Sequence, residues 1–266
     1  MHDFLDKLAQ TAKESINGAY CESMTPATAV PASLKQTILQ STAAAVITEV
    51  KGASPSKGTI KKNFAPDEIA KAMARGGAVG ISVLTEPKHF CGSLGYLAKV
   101  REAVNLPLLM KDIIVSPIQL DAAVQAGANA VLLIQALFDR GYCDCDVSGM
   151  IAEAHKRTLE VLLEVHTKEE FNRAAESAAD LVGVNNRDLR TLTVDLKVTR
   201  DILIDRVENG RIIVSESGIN SAADVLFLRG CGAKAFLVGS AVMLADDVEA
   251  KVKELVQAHE KATNHQ

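Results

Sequence analysis

The stretch Ala44-Ala45-Val46-Ile47-Thr48-Glu49-Val50-Lys51-Gly52-Ala53-Ser54-Pro55-Ser56-Lys57-Gly58 decides the fold. Its first half is an almost unbroken apolar run rich in β-branched residues, the composition of a parallel strand covered on both faces. Its second half opens a charged loop where an open nucleotide-binding sheet would carry a Gly-x-Gly-x-x-Gly turn. Seven more runs of this kind follow: Val79–Leu84, Pro107–Ile113, Ala130–Ile134, Leu159–Val165, Leu181–Val184, Ile212–Glu216 and Ala235–Val238. They recur about every 20–35 residues, the spacing a strand–helix unit needs. Eight such units predict a closed α/β barrel, the (β/α)8 or TIM barrel, over a rival open doubly wound sheet. Gly76-Gly77, Gly127, Gly230 and Gly232 stand just before strands, where left-handed helix caps are expected.

Before this pattern the chain reads differently. Asp3–Ile16 places Phe4, Leu5, Leu8, Ala12 and Ile16 on one face of an amphipathic helix. A Ser/Thr/Pro/Ala-rich connector, Ala19–Pro31, leads to a second short helix, Ser33–Ser41. The expected organisation is therefore one barrel domain over residues 1–266, with residues 1–42 as an N-terminal helical extension.

The bulk composition narrows the function classes. Hydrophobic residues make up 48% of the 266, ample for a sizeable core, and no apolar run is long enough to span a bilayer. The formal net charge of −4 supplies no basic field for nucleic acid or an anionic membrane, so a small anionic substrate must be held by local groups. The N-terminus lacks a basic stretch followed by an apolar one, and a cytoplasmic location is expected. Cys143-Asp144-Cys145 is a weak metal signal without companion ligands, and the six histidines show no metal-ligand spacing. No metal and no cofactor is expected.

Charges fall at the C-terminal ends of the runs. Glu49 and Lys51 end the first, Lys111 and Asp112 the third, Glu164 the fifth, Asn185 and Arg187 the sixth, and Glu216 the seventh. In a barrel these ends share one rim, the face on which active sites are built. Lys51 with Glu49, or Lys111 with Glu216, taken singly, reads equally as a neutralising pair. Five strands contributing together describe converging acids and bases, because an apolar core gains more from Leu or Val. The seventh and eighth runs end in Ser217-Gly218 and Gly239-Ser240, the positions where barrels bind phosphate through bare N–H groups, with serine hydroxyls in addition.

At this point the residues resemble a known family. Ile47–Gly58, with Ser82-Val83-Leu84-Thr85-Glu86, Leu109-Met110-Lys111-Asp112, Val161–Val165, Gly183-Val184-Asn185-Asn186-Arg187-Asp188-Leu189 and Val214–Ile219, is similar to the signature of indole-3-glycerol-phosphate synthases. The resemblance runs from about Ser41 to Met243. It implies a lyase of tryptophan biosynthesis acting on 1-(2-carboxyphenylamino)-1-deoxyribulose 5-phosphate. It further implies Lys111 and Glu164 as catalytic residues, supported by Glu49, Lys51, Asn185 and Glu216. The substrate-binding set it implies is Ser54, Lys57, Phe90, Met110, Leu132, Arg187, Ser217, Gly218, Gly239 and Ser240, with Phe90, Met110 and Leu132 as walls of the anthranilate ring. The chain departs from the pattern at Ile113, where the family usually has Phe.

The division of the dehydration step between Glu164 and Lys51 stays open at this level. A phosphosugar isomerase such as phosphoribosylanthranilate isomerase is the runner-up, though it needs a single acid–base pair. A binding-only barrel is the third reading, and it gains nothing from two lysines facing acids. The expected partner is a small phosphorylated molecule, with no nucleic acid and no membrane. Oligomeric state is open, with a monomer as the working expectation.

Overall fold

The computed structural model describes residues 3–20, 27, 30–54, 58–59, 64–204 and 210–258, with the backbone alone at 17, 19, 53–54 and 58–59. Eight parallel strands occur where the eight apolar runs lie: β1 (Ala45–Val50), β2 (Gly80–Leu84), β3 (Leu108–Lys111), β4 (Ala130–Ile134), β5 (Glu160–Val165), β6 (Leu181–Asn185), β7 (Ile213–Glu216) and β8 (Ala235–Val238). Each pairs with the next, and β1 also pairs with β8, Ile47 standing opposite both Gly80 of β2 and Leu237 of β8. Closure leaves no barrel strand with an unpaired edge. The third run ends earlier than expected. Asp112 Oδ1 accepts the N–H of Ile113 at 2.7 Å, which takes that donor out of the strand ladder.

Side-chain alternation divides the core in two. Ala45, Ile47, Leu109, Leu132, Leu162, Val214 and Leu237 pack inside the barrel. Val46, Val83, Met110, Val131, Leu163, Val184 and Phe236 pack outward with the helices. Met110, expected beside the ring, thus points the wrong way for a site residue. Its neighbours Leu109 and Lys111 face inward, so the period-two strand turns Met110 toward the helix layer, where it is fully buried.

The two N-terminal helices close opposite ends. Helix α2 (Leu34–Gln40) lies under the barrel: Leu34 is fully buried, and a Cβ on Gly80 would come within 2.6 Å of its Cδ1. Glu160, which begins β5, accepts hydrogen bonds from the Ser33 hydroxyl and from Lys35 N at 3.1 Å. Helix α1 (Phe4–Ala19), with an Asp3/Asp6 capping box, lies over the C-terminal rim. Arg140 pairs with Asp3 at 2.9 Å and Asp6 at 2.5 Å, and His89 Nε2 lies 3.0 Å from Thr11 Oγ1. Of the expected left-handed caps, Gly77, Gly127 and Gly232 are found at φ 93°, 85° and 105°. Gly76 ends its helix right-handed, and is glycine for another reason, since a Cβ there would strike Val252; Gly230 is still helical. No helix among the described residues is long and apolar enough to cross a membrane.

Candidate active site

A cavity of about 480 Å³ opens at the C-terminal end of the barrel. Lys111, Glu164, Lys51, Glu49, Asn185 and Glu216 all reach it, as do Phe90, Leu132, Arg187, Ser217, Gly218, Gly239 and Ser240. Lys57 and the side chain of Ser54 lie outside the described residues.

Lys111 lies across the cavity floor. From β3 its Nζ reaches Glu216 Oε2 at 3.0 Å on β7, the strand diametrically opposite, and Glu164 Oε2 at 3.2 Å on β5. Asn185 Nδ2 donates to the other oxygen of Glu164 at 3.0 Å. Lys51 Nζ stands 2.7 Å from Glu49 Oε1. Arg187 donates from its guanidinium to Leu192 O at 3.0 Å, and its own N–H bonds Asn185 Oδ1 at 2.9 Å. Glu86 is buried and collects the N–H groups of Lys88, His89 and Phe90 at 2.7–3.0 Å, which sets the Phe90 ring at the cavity wall.

Two glycines make room for these charges. A Cβ on Gly183 would overlap Glu216 Oε1, and one on Gly239 would overlap Glu49 Oε1 and stand 2.7 Å from Lys51 Nζ. Gly239 therefore accommodates the Glu49–Lys51 pair, a role that its reading as a phosphate-site glycine did not include. It is also the N-cap of the short helix Ser240–Met243, whose first N–H groups have no partner one turn back. Ser217 and Gly218 both adopt left-handed conformations, φ 67° and 84°. An L-residue there is strained, and such strain is held only where the surroundings enforce it.

The electrostatics follow from burial among like and unlike neighbours. Burial works against a charge on Lys111, but Glu216, Glu164 and Glu49 outweigh it and hold the ammonium well above its ordinary range. Burial pushes the Glu216 carboxyl up to about 7, with Lys111 opposing and Glu164 and Glu49 adding to the rise. For Glu49, burial is outweighed by Lys51 and Lys111, which keep it below the usual carboxylate range. Burial lowers Arg187, against the pull of Glu49. Glu216 Oε1 has no hydrogen-bond partner although it is buried. The site therefore holds a charged acid, Lys111, touching a carboxyl that takes up a proton near neutral pH.

Sequence reasoning missed part of the wall. Phe4 and Leu8 of α1 line the cavity, and so do Leu189, Leu192, Val194 and Leu196 from the loop after β6. That loop folds on itself through Leu192 N to Asp188 O at 2.7 Å and a bridge between Arg187 and Val194. Four apolar residues in an otherwise polar loop were the available signal. For Phe4 and Leu8 the helical spacing marked a buried face, but nothing local said what covers it.

The family model described as "Indole-3-glycerol phosphate synthase" matches residues 5–255. Proteins of that name are similar over most of the chain. The one from Geobacillus sp. is 43% identical over 212 residues, 79% of this chain and 80% of its own. That from Neisseria meningitidis serogroup B is 44% identical over 79% of each chain, and that from Aromatoleum aromaticum 41% over 93% of this chain and 96% of its own. A solved structure of thiamine phosphate pyrophosphorylase from Pyrococcus furiosus superposes with a TM-score of 0.60 at 20% identity. It covers 86% of this chain and 98% of its own, and shares the fold alone. With the family match spanning nearly its whole length and relatives above 40% identity, this chain belongs to the indole-3-glycerol phosphate synthase family.

Proposed function

We propose that this cavity converts 1-(2-carboxyphenylamino)-1-deoxyribulose 5-phosphate to indole-3-glycerol phosphate, carbon dioxide and water, with Lys111 as the acid on which ring closure turns. The observation that carries the reading is an ammonium laid across the floor and kept charged by carboxylates from two other strands. The ring carbon bearing the carboxylate bonds to the sugar carbonyl carbon, the carbonyl electrons move onto oxygen, and Lys111 supplies that oxygen with a proton. The bond to the carboxylate then breaks, its electron pair restores the aromatic ring, and carbon dioxide leaves. Dehydration needs an acid for the new hydroxyl and a base for a proton on the adjacent carbon or nitrogen. Lys51, just after β1, and Glu164 on β5 come from opposite sides of the barrel, so Lys51 protonates the departing hydroxyl while Glu164 accepts the proton on the other flank.

In the same reading Glu49 and Glu216 tune the two lysines, and Asn185 and Arg187 hold the polar groups of the substrate. Phe90 and Leu132, with Phe4 and Leu8, wall the ring. N–H groups at Gly218, Gly239 and Ser240 take the phosphate with the hydroxyls of Ser217 and Ser240, and Ser54 and Lys57 complete the first loop's contribution. We place the enzyme in the cytoplasm as a monomer built from one barrel domain, residues 1–266, with residues 1–42 as its extension. Incubating the pure protein with the substrate tests the reaction. Indole fluorescence and an equal yield of carbon dioxide are expected, and a protein that yields neither while still binding the substrate is an isomerase or a binding barrel instead.

A further inference from the structure

Next to Lys111 lies a carboxylate for which the reaction has no use. Asp112 is 2% exposed, and both its carboxylate oxygens accept hydrogen bonds from other elements or from its own turn. Oδ2 accepts the Tyr20 hydroxyl at 2.8 Å and also the Thr85 hydroxyl, and Oδ1 accepts Ile113 N at 2.7 Å. With its donors in place the group is occupied in holding structure, although burial raises it to about 6 and it borders the cavity.

The three donors come from three places that must move together if Lys111 is to stay in line. Thr85 follows the end of β2, and its N–H also bonds Lys111 O at 3.1 Å. Ile113 begins the turn after β3, which is pinned again by Gln119: its Nε2 donates to Ile113 O at 2.9 Å, and its Oε1 accepts Val115 N at 2.8 Å. Tyr20 closes α1, the helix that brings Phe4 and Leu8 to the cavity. Both peptide neighbours of Asp112 therefore belong to the site: Lys111 before it, and Ile113, a cavity residue, after it.

We propose that Asp112, gripped by Tyr20 and Thr85, is a positioning residue for Lys111, so that the N-terminal helix is tied into the catalytic centre and not only laid over it. This rests on the reading of Lys111 as the acid of ring closure. A displacement of about 1 Å at a reacting group costs up to about 10²-fold in rate, so loosening this turn is read in kcat. The same helix has a second tie at its other end, through Arg140 to Asp3 and Asp6, and this supplies the control.

The experiment compares Tyr20→Phe and Thr85→Val with Thr85→Ser and Arg140→Ala, in the full chain, with thermal unfolding and circular dichroism alongside. Tyr20→Phe and Thr85→Val are expected to lower kcat by about tenfold with KM within about twofold. Thr85→Ser, which keeps the hydroxyl, is expected to retain wild-type kcat. Arg140→Ala is expected to raise KM, through Phe4 and Leu8, and to leave kcat unchanged. Wild-type kcat in folded Thr85→Val overturns the proposal, and so does an equal fall in kcat in Arg140→Ala, which would make the tie a mere strap for the helix. Should Tyr20→Phe fail to fold, the Thr85 pair decides alone. Lys111→Met is assayed in parallel: if it retains turnover, the reading of Lys111 fails, whereas an inactive Lys111→Met beside fully active Tyr20→Phe and Thr85→Val sinks only the positioning role.

Discussion

The two ends of the barrel bury polar groups in opposite ways. At the lower end Arg101 is 3% exposed and donates to backbone, to Leu106 O at 3.0 Å and to Val104 O, as well as to Asn129 Oδ1 at 3.1 Å. Asn129 in turn accepts Leu108 N at 3.0 Å and donates to Val30 O at 2.8 Å. At the upper end the partners of Lys111, Glu164, Glu216, Glu49 and Lys51 are mostly each other, while Arg101 Nε below and Glu216 Oε1 above are both buried without a partner. A charge bonded to backbone is satisfied only by one geometry and stabilises it. Charges bonded to titratable side chains can exchange protons and partners, which serves a reaction and gains little stability. The kind of partner, not the degree of burial, separates scaffold from chemistry.

Replacing one cation at each end gives the largest effects expected. Lys111→Met should lower kcat by roughly 10²-fold or more. It should leave the melting temperature near wild type, because Glu216, already pushed up to about 7, takes a proton once the ammonium is gone. Arg101→Met removes the donor to two backbone carbonyls and one of the two donors to Asn129 Oδ1, at about 1–3 kcal/mol for each buried group left unpaired. Urea unfolding should show that loss, with kcat per folded molecule unchanged. Reversed outcomes, a stable inactive Arg101→Met or an unstable active Lys111→Met, would break the comparison.

Glycines sharpen it at smaller scale. Gly183→Ala drives a methyl into Glu216 Oε1 and should lower kcat about tenfold by displacing the partner of Lys111. Gly80→Ala meets Leu34 Cδ1 and Pro107 O below the barrel and should cost about 1–3 kcal/mol of stability without touching kcat. The measurement is kcat against melting temperature for the pair. Equal kcat losses would mean that the lower end also shapes the site.

A third difference lies in pH dependence. Glu216 holds its proton up to about 7 in the folded chain, against an ordinary carboxyl value of 4.5. Between these values the folded state binds more protons than the unfolded one, so its contribution is complete below 4.5 and lost as pH rises through 7. Asp112, raised to about 6, acts with the same sign. Unfolding free energy measured from pH 5 to 8 should therefore slope less steeply downward in Glu216→Gln. Arg101→Met should displace the whole curve without changing its slope, and a parallel displacement in Glu216→Gln would rule out its titration in this range.

The smallest effect concerns the ring wall. Ile113 lines the cavity and is 5% exposed. Ile113→Phe should lower KM a few-fold with kcat within a few-fold, since packing on the ring is alike in ground and transition states. A collapse of kcat would instead tie Ile113, like its neighbour Asp112, to the placement of Lys111.

What could be read before folding was whatever depends on local periodicity or on position along a strand. The eight strands begin and end within a few residues of the apolar runs, because burial on both faces demands continuous apolar sequence. The rim charges were legible because a parallel strand in a closed barrel tolerates charge only at its end. Met110 was misread against information already present. Lys111 facing the cavity forces its neighbour outward, so the alternation of the strand ruled it out of the ring pocket.

The rest was decided by closure. Strands β3 and β7 lie far apart in the chain and meet across the barrel axis only when β1 pairs with β8, and this brings Lys111 to Glu216. The need for glycine at 183 and 239 appears only once those carboxylates occupy the space. The tie from Tyr20 to Asp112 joins residues 92 apart, and neither carries a local mark of its partner. Periodicity tells which face of a helix or strand is buried; only the packed barrel tells against what, since that depends on registers set by all eight strands together.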